Sequence, residues 1–227
     1  MKTKPSARPL RLAASLGLLA CIGTAFASPV TMTGFTQGYE AMDTSMSGWV
    51  GVGQFTGRAD FGRGQETLIT FCTDIYQNFY WNVGYDYTLV ANGTVHGFSS
   101  QEADLLGRLY TVAGAIDSTV KSVAFQLSIW EILYDQPQQL SLTGGNFALE
   151  SGGSQAVRQQ AASWLGQLPG VSSAYSVERL YSPVAQDFII ATPQPGKPSA
   201  ATVPEPAGWA LSLLALAAMG WVRHRST

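Results

Sequence analysis

Residues 118–134 read STVKSVAFQLSIWEILY, an apolar stretch that follows a residue able to cap a helix. Asp117 or Ser118 can accept a hydrogen bond from the first free backbone N–H groups, so the sequence predicts a helix from there to about Tyr134. Apolar side chains recur on one stripe of this helix at Val123, Leu127, Trp130 and Tyr134. We expect the stripe to face the core.

Two further helices are predicted on either side of this one. Ser99 and Glu102, three residues apart, form a capping-box pattern that predicts a helix to about Ile116. Residues 154–168 predict a third helix, which the following Pro-Gly pair ends. Its apolar positions are Val157, Ala161, Trp164 and Leu165. The middle of the chain is therefore predicted to be helical.

Strand patterns lie on both sides of the helices. In residues 30–95 glycine, threonine and aromatic residues predominate in short alternating runs, which are typical of strands. Asn92-Gly93 predicts a hairpin turn, because both residues tolerate positive φ. Residues 184–191 predict a last, buried strand. The order favours an α+β fold, an antiparallel β-sheet or sandwich with an inserted helical subdomain of about three helices.

Two apolar ends distort the composition, which is 46% hydrophobic and 12% charged over 227 residues. Residues 1–27 contain basic residues, then an apolar run, then Ala-Phe-Ala, which is the pattern of a secretory signal peptide. We expect cleavage after Ala27. The alternative is cleavage before Cys21 at a lipobox-like sequence, which would leave a lipid-modified cysteine.

The body between these ends is mildly acidic. Residues 28–203 contain 14 acidic and seven basic side chains, hence a formal net charge of −7. A nucleic-acid partner requires clustered Lys and Arg to displace phosphate counterions, so the composition argues against one. The acidic residues lack metal-ligand spacing and no phosphate-binding loop follows a strand, so we expect neither a metal nor another cofactor.

The C-terminal end consists of three parts in order. They are a proline-rich linker at 192–202, the motif Val203-Pro204-Glu205-Pro206, and an apolar stretch at 207–222 followed by a basic terminus. As a helix the stretch reaches about 24 Å, less than the ~30 Å hydrocarbon core. The basic residues after it would hold the terminus in the cytoplasm and place the preceding chain outside.

This arrangement resembles the PEP-CTERM sorting signal of exopolysaccharide-producing Gram-negative bacteria, which the membrane enzyme exosortase recognises. The resemblance implies exosortase as a partner and transient anchoring in the inner membrane through a transmembrane helix at 207–222. It also implies a final location at the cell surface or in the extracellular matrix. An ordinary tail anchor is the alternative. Residues 28–191 then form the globular domain.

Cys72 has no partner within the mature chain, because the only other cysteine, Cys21, lies in the signal sequence. In an oxidising compartment such a thiol is inert in the core, bridges two chains, acts as a nucleophile or is masked by another bond. A Cys-His enzyme would have to use His96, the one histidine of the body. Because an exposed loop histidine is the simpler interpretation, we expect no enzymatic activity.

Three segments resemble the internal-thioester adhesin domains of Gram-positive surface proteins. They are FCTD at 71–74, FQLSIW at 125–130 and AQDFII at 185–190. The resemblance implies a thioester between Cys72 and Gln186, formed when the thiolate expels ammonia from the carboxamide. Gln126 and Trp130, one turn apart on the same helix face, would shield and orient the bond. Gln126 stays open as the alternative bond partner.

The resemblance implies a covalent adhesin that acylates an amine on a surface or matrix polymer. Thr73, Phe125 and Glu131 depart from the family's pattern. One alternative is that the three motif residues are packed core of an unreactive domain. Another is a structural or carbohydrate-binding matrix protein, whose aromatic side chains would stack on sugars. The aromatic candidates are Tyr76, Phe79, Tyr80, Trp81, Tyr85 and Tyr87.

Overall fold

A computed structural model describes residues 27–62 and 64–197. Within these ranges the chain forms antiparallel sheets with three α-helices, so the predicted α+β fold is confirmed. The described residues contain no helix with the length and hydropathy needed to cross a membrane. The predicted signal peptide up to residue 26, the motif at 203–206 and the apolar stretch at 207–222 lie outside the described residues.

The strands are β1 (Ser28–Phe35), β2 (Glu40–Thr44), β3 (Gly48–Val52), β4 (Phe55–Asp60), β5 (Gln65–Thr70), β6 (Gly84–Val90), β7 (Leu149–Gly152), β8 (Tyr175–Tyr181) and β9 (Phe188–Pro193). The larger sheet has the order β5-β4-β1-β6-β8-β9, and the smaller sheet the order β3-β2-β7. Because β6 pairs with both β1 and β8, the first and last parts of the domain share one sheet. All three helices and β7 are inserted between these neighbouring strands.

The two edges of the larger sheet approach each other beyond the end of β5. Cys72, two residues after β5, forms an isolated antiparallel bridge with Phe188 at the start of β9. Next to it, Thr73 N donates to Asp187 O at 2.9 Å. These contacts bring the segment of the predicted cysteine motif against the segment of the predicted glutamine motif.

The helices are α1 (Ser100–Ala113), α2 (Thr119–Tyr134) and α3 (Gln155–Gln167), and a 3₁₀ turn, Leu168–Gly170, follows α3. The predicted capping box at Ser99 and Glu102 is present, with both reciprocal hydrogen bonds formed. Of the two predicted cap candidates for α2, Ser118 is the one that caps it, and Ser154 caps α3. Helix α1 ends earlier than the predicted Ile116, because Gly114 adopts a φ of 60°.

Helix α2 is buried on all sides from Ser122 to Ile132, and not along one stripe only. Apolar side chains occur all round this segment, and a helix of that kind belongs in a protein interior. Phe125 packs against Phe71, with ring centroids 4.6 Å apart, and against Trp164 of α3. Helix α2 is therefore the centre of the core, and its polar side chains must find partners there.

The predicted hairpin at Asn92-Gly93 is wrong. Gly93 does adopt a positive φ of 77°, but the residues that follow form no strand, and β6 pairs instead with β1 and β8. The Asn92 side chain donates to Val177 O at 2.7 Å, which ties the turn to β8. The turn at Gly93 is present, whereas the pairing of β6 depends on strands far away in sequence.

The last predicted strand also differs from the observed one. Strand β9 begins at Phe188, four residues later than predicted, because residues 182–187 turn back from β8 and contact the Cys72 segment. It ends at Pro193, two residues into the predicted linker, where Thr192 and Pro193 still pair with β8. Strands β7 and β8 were not predicted, since both are short runs with many polar residues.

Candidate functional site

Cys72 is buried where the edge of β5 meets β9, and only 1% of the residue is exposed. Its Sγ donates to the carbonyl oxygen of Asp74 at 3.2 Å. Burial raises the pKa of the thiol well above its usual value, although the Trp130 side chain and the Asp74 backbone act in the opposite direction. The sulfur is therefore a neutral thiol that is hydrogen-bonded to a backbone carbonyl.

Gln126 faces the backbone of Cys72 and not its sulfur. The Gln126 Oε1 accepts from Cys72 N at 2.8 Å, and Gln126 Nε2 donates to Cys72 O at 2.8 Å. The side chain, which is fully buried in α2, thus takes the place that a neighbouring strand would occupy. Both ends of the carboxamide are satisfied, as a buried amide requires. Gln126 positions Cys72 by holding its peptide groups.

Gln186 faces the thiol side of the same segment. Its Nε2 donates to Asp74 O at 3.1 Å, which is the oxygen that the Cys72 thiol also contacts. The backbone of Gln186 is held in turn, because the buried Tyr87 hydroxyl donates to its carbonyl oxygen at 2.8 Å. The Cys72 thiol and the Gln186 side-chain nitrogen therefore share one acceptor, the carbonyl oxygen of Asp74.

Trp130 covers the sulfur from α2. Its indole N–H lowers the pKa of the Cys72 thiol, as a donor close to sulfur does, but it forms no hydrogen bond of ordinary geometry with any described residue. The ring is 2% exposed and also packs against Phe147. The structure thus brings together all four predicted site residues, Cys72, Gln126, Trp130 and Gln186, and divides them between two faces of one segment.

A cavity of about 670 Å³ opens beside this site. Cys72, Trp130 and Gln186 are among its lining residues, and of these Cys72 and Trp130 are buried while Gln186 is partly exposed. Aromatic rings form much of its wall, namely Phe35, Tyr39, Trp49, Phe55, Phe79 and Trp81. None of the described residues that line it is charged. The cavity gives a small molecule or a polymer end a route to the sulfur and the carboxamide.

Four of these wall residues, Phe35, Tyr39, Trp49 and Phe55, were not predicted as site residues. Phe35, Tyr39 and Trp49 come from the first three strands and the turns between them, and they share no spacing with the motifs. Phe35 stacks on Tyr39, with ring centroids 4.7 Å apart. Their aromatic character was the only signal in the sequence, and it does not distinguish a cavity wall from a core.

The aromatic residues predicted to bind sugars do not form one surface. Phe79 and Trp81 line the cavity, whereas Tyr87 is buried in the core. Tyr76 and Tyr80 are exposed but do not line the cavity. A carbohydrate surface made of the predicted set would therefore have to be discontinuous.

His96 does not line the cavity beside Cys72. It stacks on Tyr181, with ring centroids 4.1 Å apart, and faces a different cavity that Asp187 and Arg179 also line. Asp187 accepts from Ser182 N, and burial raises the pKa of its carboxyl to about 6. The imidazole and the thiol therefore belong to residues that line different cavities.

A scan against known protein-family models finds no match for this sequence, and a search of curated proteins finds no similar one.

Proposed function

We propose that this protein is an exported, exosortase-sorted surface or matrix protein that attaches covalently to amine-bearing polymers through a Cys72–Gln186 thioester. One observation carries the proposal. Cys72 Sγ and Gln186 Nε2 both donate to Asp74 O, at 3.2 and 3.1 Å, and both residues line an open cavity. The thiol and a carboxamide from a distant part of the chain are thus neighbours.

The reaction needs no other reactant. The Cys72 sulfur attacks the side-chain carbonyl carbon of Gln186, the C–N bond breaks, and ammonia leaves with the thiol proton. Because S–H and N–H donate to the same oxygen, the proton and the leaving nitrogen lie side by side. A partner amine later attacks the same carbon, forms an amide and returns the sulfur to its thiol form.

Gln186 is a better acyl donor than Gln126 on this geometry. Both polar atoms of the Gln126 side chain are bonded to the Cys72 backbone, and attack on its carbonyl would break two buried hydrogen bonds. Gln186 loses only one hydrogen bond to Asp74 when ammonia leaves. Proximity then favours the pair whose atoms already share a contact.

Burial of Cys72 and the cover of Trp130 would protect the thioester from water until an amine enters. The cavity beside it supplies the entry route for that amine. A masked thiol also explains how a lone cysteine persists in an oxidising compartment without forming disulfides between chains.

The first test is the mass of the protein purified after export. We expect it to be lower than the sequence of the processed chain by one ammonia, and methylamine to add to it stoichiometrically. Gln186→Glu is the matched control, because it keeps the size of the side chain but has no ammonia to lose. An unshifted mass with a freely titrating thiol would reject the thioester.

The proposed sorting is tested separately. In an exosortase-containing host we expect the chain to be processed and to reach the cell surface or matrix, after transient anchoring through residues 207–222. Replacing Pro204-Glu205-Pro206 by alanines should leave the chain in the membrane. Normal processing of this variant would contradict the role of the motif, and a parent chain that stays unprocessed in the membrane would support an ordinary tail anchor.

A second candidate function is non-covalent binding to matrix carbohydrate, which the exposed ring of Trp81 in the cavity wall favours. Retention on a polysaccharide column that Trp81→Ala abolishes and Cys72→Ser leaves unchanged would support it over the thioester. A retention that depends on Cys72 would oppose it.

A further inference from the structure

The wall of the Cys72 cavity combines exposed aromatic faces with neutral hydrogen-bonding groups. Tyr39 is 56% exposed, Trp49 65% and Trp81 41%, so each presents part of its ring to solvent. Asn78 and Asn82 line the same cavity and are exposed. These side chains are the exposed part of the lining, whereas Cys72 is buried and Gln186 is half-buried.

This combination points to a class of ligand. Aromatic rings contact the apolar face of a sugar, and amide groups bond its hydroxyls, so a neutral wall of this kind suits a carbohydrate. The volume of about 670 Å³ is within the range of small-molecule sites, roughly 300–1,000 Å³. It is large enough to admit a sugar unit together with its attachment to a polymer.

The absence of charge argues against a lysine side chain as the natural amine. A lysine amine titrates at about 10.4, so at neutral pH it would enter as an ammonium ion. None of the described residues lining the cavity is a carboxylate that would offset the loss of its hydration. A hexosamine amine titrates much closer to neutrality, because the neighbouring hydroxyl groups withdraw electrons, and a large share of it is uncharged and nucleophilic.

We propose that the Cys72 cavity is a subsite for an amino-sugar unit of a polysaccharide, held by the rings of Tyr39, Trp49 and Trp81 so that its free amine reaches the acyl carbon of Gln186. The inference rests on the proposed thioester for its covalent step. In that step the sugar amine forms an amide with the Gln186 carbonyl, the C–S bond breaks, and the proton from nitrogen passes to the sulfur of Cys72.

Trp49 is the best residue for a test, because it is the most exposed of the three rings and lies on β3, a strand of the smaller sheet. Tyr80 provides a matched control, since it is 77% exposed and does not line the cavity. Trp81 is less suitable, because its ring packs against Phe79 and Phe55.

The experiment compares four probes on the full exported protein by intact mass. The probes are a glucosamine tetramer, its fully N-acetylated form, a lysine-containing peptide and methylamine. We expect the glucosamine tetramer to couple faster than the lysine peptide at pH 7.5, and the N-acetylated form not to couple. Trp49→Ala should slow coupling of the glucosamine tetramer about tenfold and leave methylamine unchanged, whereas Tyr80→Ala changes neither.

The outcomes separate this inference from the thioester itself. If methylamine couples but the lysine peptide is equal to or faster than the tetramer, or Trp49→Ala has no effect, the amino-sugar subsite is wrong and the thioester stands. If methylamine does not couple, the thioester is wrong. In that case binding of the tetramer to Cys72→Ser, followed by tryptophan fluorescence, tests the subsite alone, and a lack of binding or indifference to Trp49→Ala overturns it.

Discussion

The α2 side and the β9 side of the Cys72 segment each present one glutamine, and the two glutamines have different hydrogen-bond partners. Gln126 on α2 is fully buried and uses both ends of its carboxamide on the Cys72 backbone. Gln186 on the β9 side is half-buried, uses its nitrogen on Asp74 O and lines the open cavity. The saturated amide of Gln126 holds the backbone, whereas the amide of Gln186, which shares an acceptor with the thiol, is the one that we propose to react.

The contrast shows why burial alone does not mark a reactive group. Gln126 is the more deeply buried of the two, and by that measure it would be the better candidate. Its hydrogen bonds, however, replace those of a missing strand, so their loss would leave two peptide groups of Cys72 without partners. Four predictions test this division of roles.

The largest expected effect is on the α2 side. Gln126→Ala leaves the N–H and C=O of Cys72 unsatisfied in the core, so it should lower the free energy of unfolding by about 2–6 kcal/mol. Gln186→Ala should lower it by less than about 1.5 kcal/mol, the value of one partly buried hydrogen bond. Urea denaturation of both variants measures the difference. Equal losses would contradict the assignment of Gln126 as the structural glutamine.

A second prediction concerns another polar group within α2. Glu131 is fully buried and Ser141 N donates to it, and its burial, with Asp135 nearby, raises the pKa of its carboxyl from 4.5 to about 8. The native state therefore keeps a proton that the unfolded chain loses above pH 4.5. Stability should fall as pH rises from about 4.5 to 8 and then level off.

Glu131→Gln keeps the acceptor for Ser141 and removes the titration. Because Asp187, whose pKa is raised to about 6, contributes in the same direction at lower pH, the clearest window is pH 6–8. At pH 8.5 the variant should be more stable than the parent by about 1–3 kcal/mol, and near pH 4 the two should be similar. Thermal unfolding over this range measures it. A parent protein that gains stability from pH 6 to 8 would contradict the assignment.

The third prediction isolates the cover over the sulfur. Trp130→Phe retains most of the buried ring and removes the indole N–H, which has no hydrogen-bond partner among the described residues. We expect a modest loss of stability, about 1 kcal/mol, from the volume removed. The thioester should hydrolyse several-fold faster, because the smaller ring covers the sulfur less completely. The rate at which a free thiol appears in the purified protein measures this, with Phe147→Leu as a packing control.

The smallest effect is expected at His96, which lines a different cavity from Cys72. His96→Ala removes a ring that stacks on Tyr181 near the surface, so stability should change by no more than about 1 kcal/mol. Coupling of methylamine should be unchanged, because the imidazole does not line the Cys72 cavity. A large loss of coupling would favour a Cys-His mechanism instead.

The helices and their caps were predictable because they depend on residues close in sequence. Ser99 and Ser118 cap helices that they were predicted to cap, and the α+β class followed from the order of the elements. The predicted hairpin at Asn92-Gly93 was wrong, because strand pairing depends on residues far away in sequence. Its turn is local, but the partners of β6 lie about 55 and 90 residues away, and no nearby residue specifies such a pairing.

The site was predictable in its residues and not in its geometry. The motif pattern singled out Cys72, Gln126, Trp130 and Gln186, and all four meet at one segment. Nothing in their spacing distinguished the two glutamines, since both lie in apolar runs. The aromatic wall was missed, because Tyr39 and Trp49 belong to strands that look like any other half-buried strands.

The amino-acid sequence by itself determined the helices, their first turns, the class of fold and the unpaired cysteine. These depend on backbone propensity, on hydrogen bonds within one turn and on simple composition. Only the tertiary structure decided which carboxamide holds the Cys72 backbone and which shares a hydrogen-bond acceptor with its thiol. That choice depends on the closing of the two sheet edges around α2, and such contacts between distant segments form only when the whole core packs.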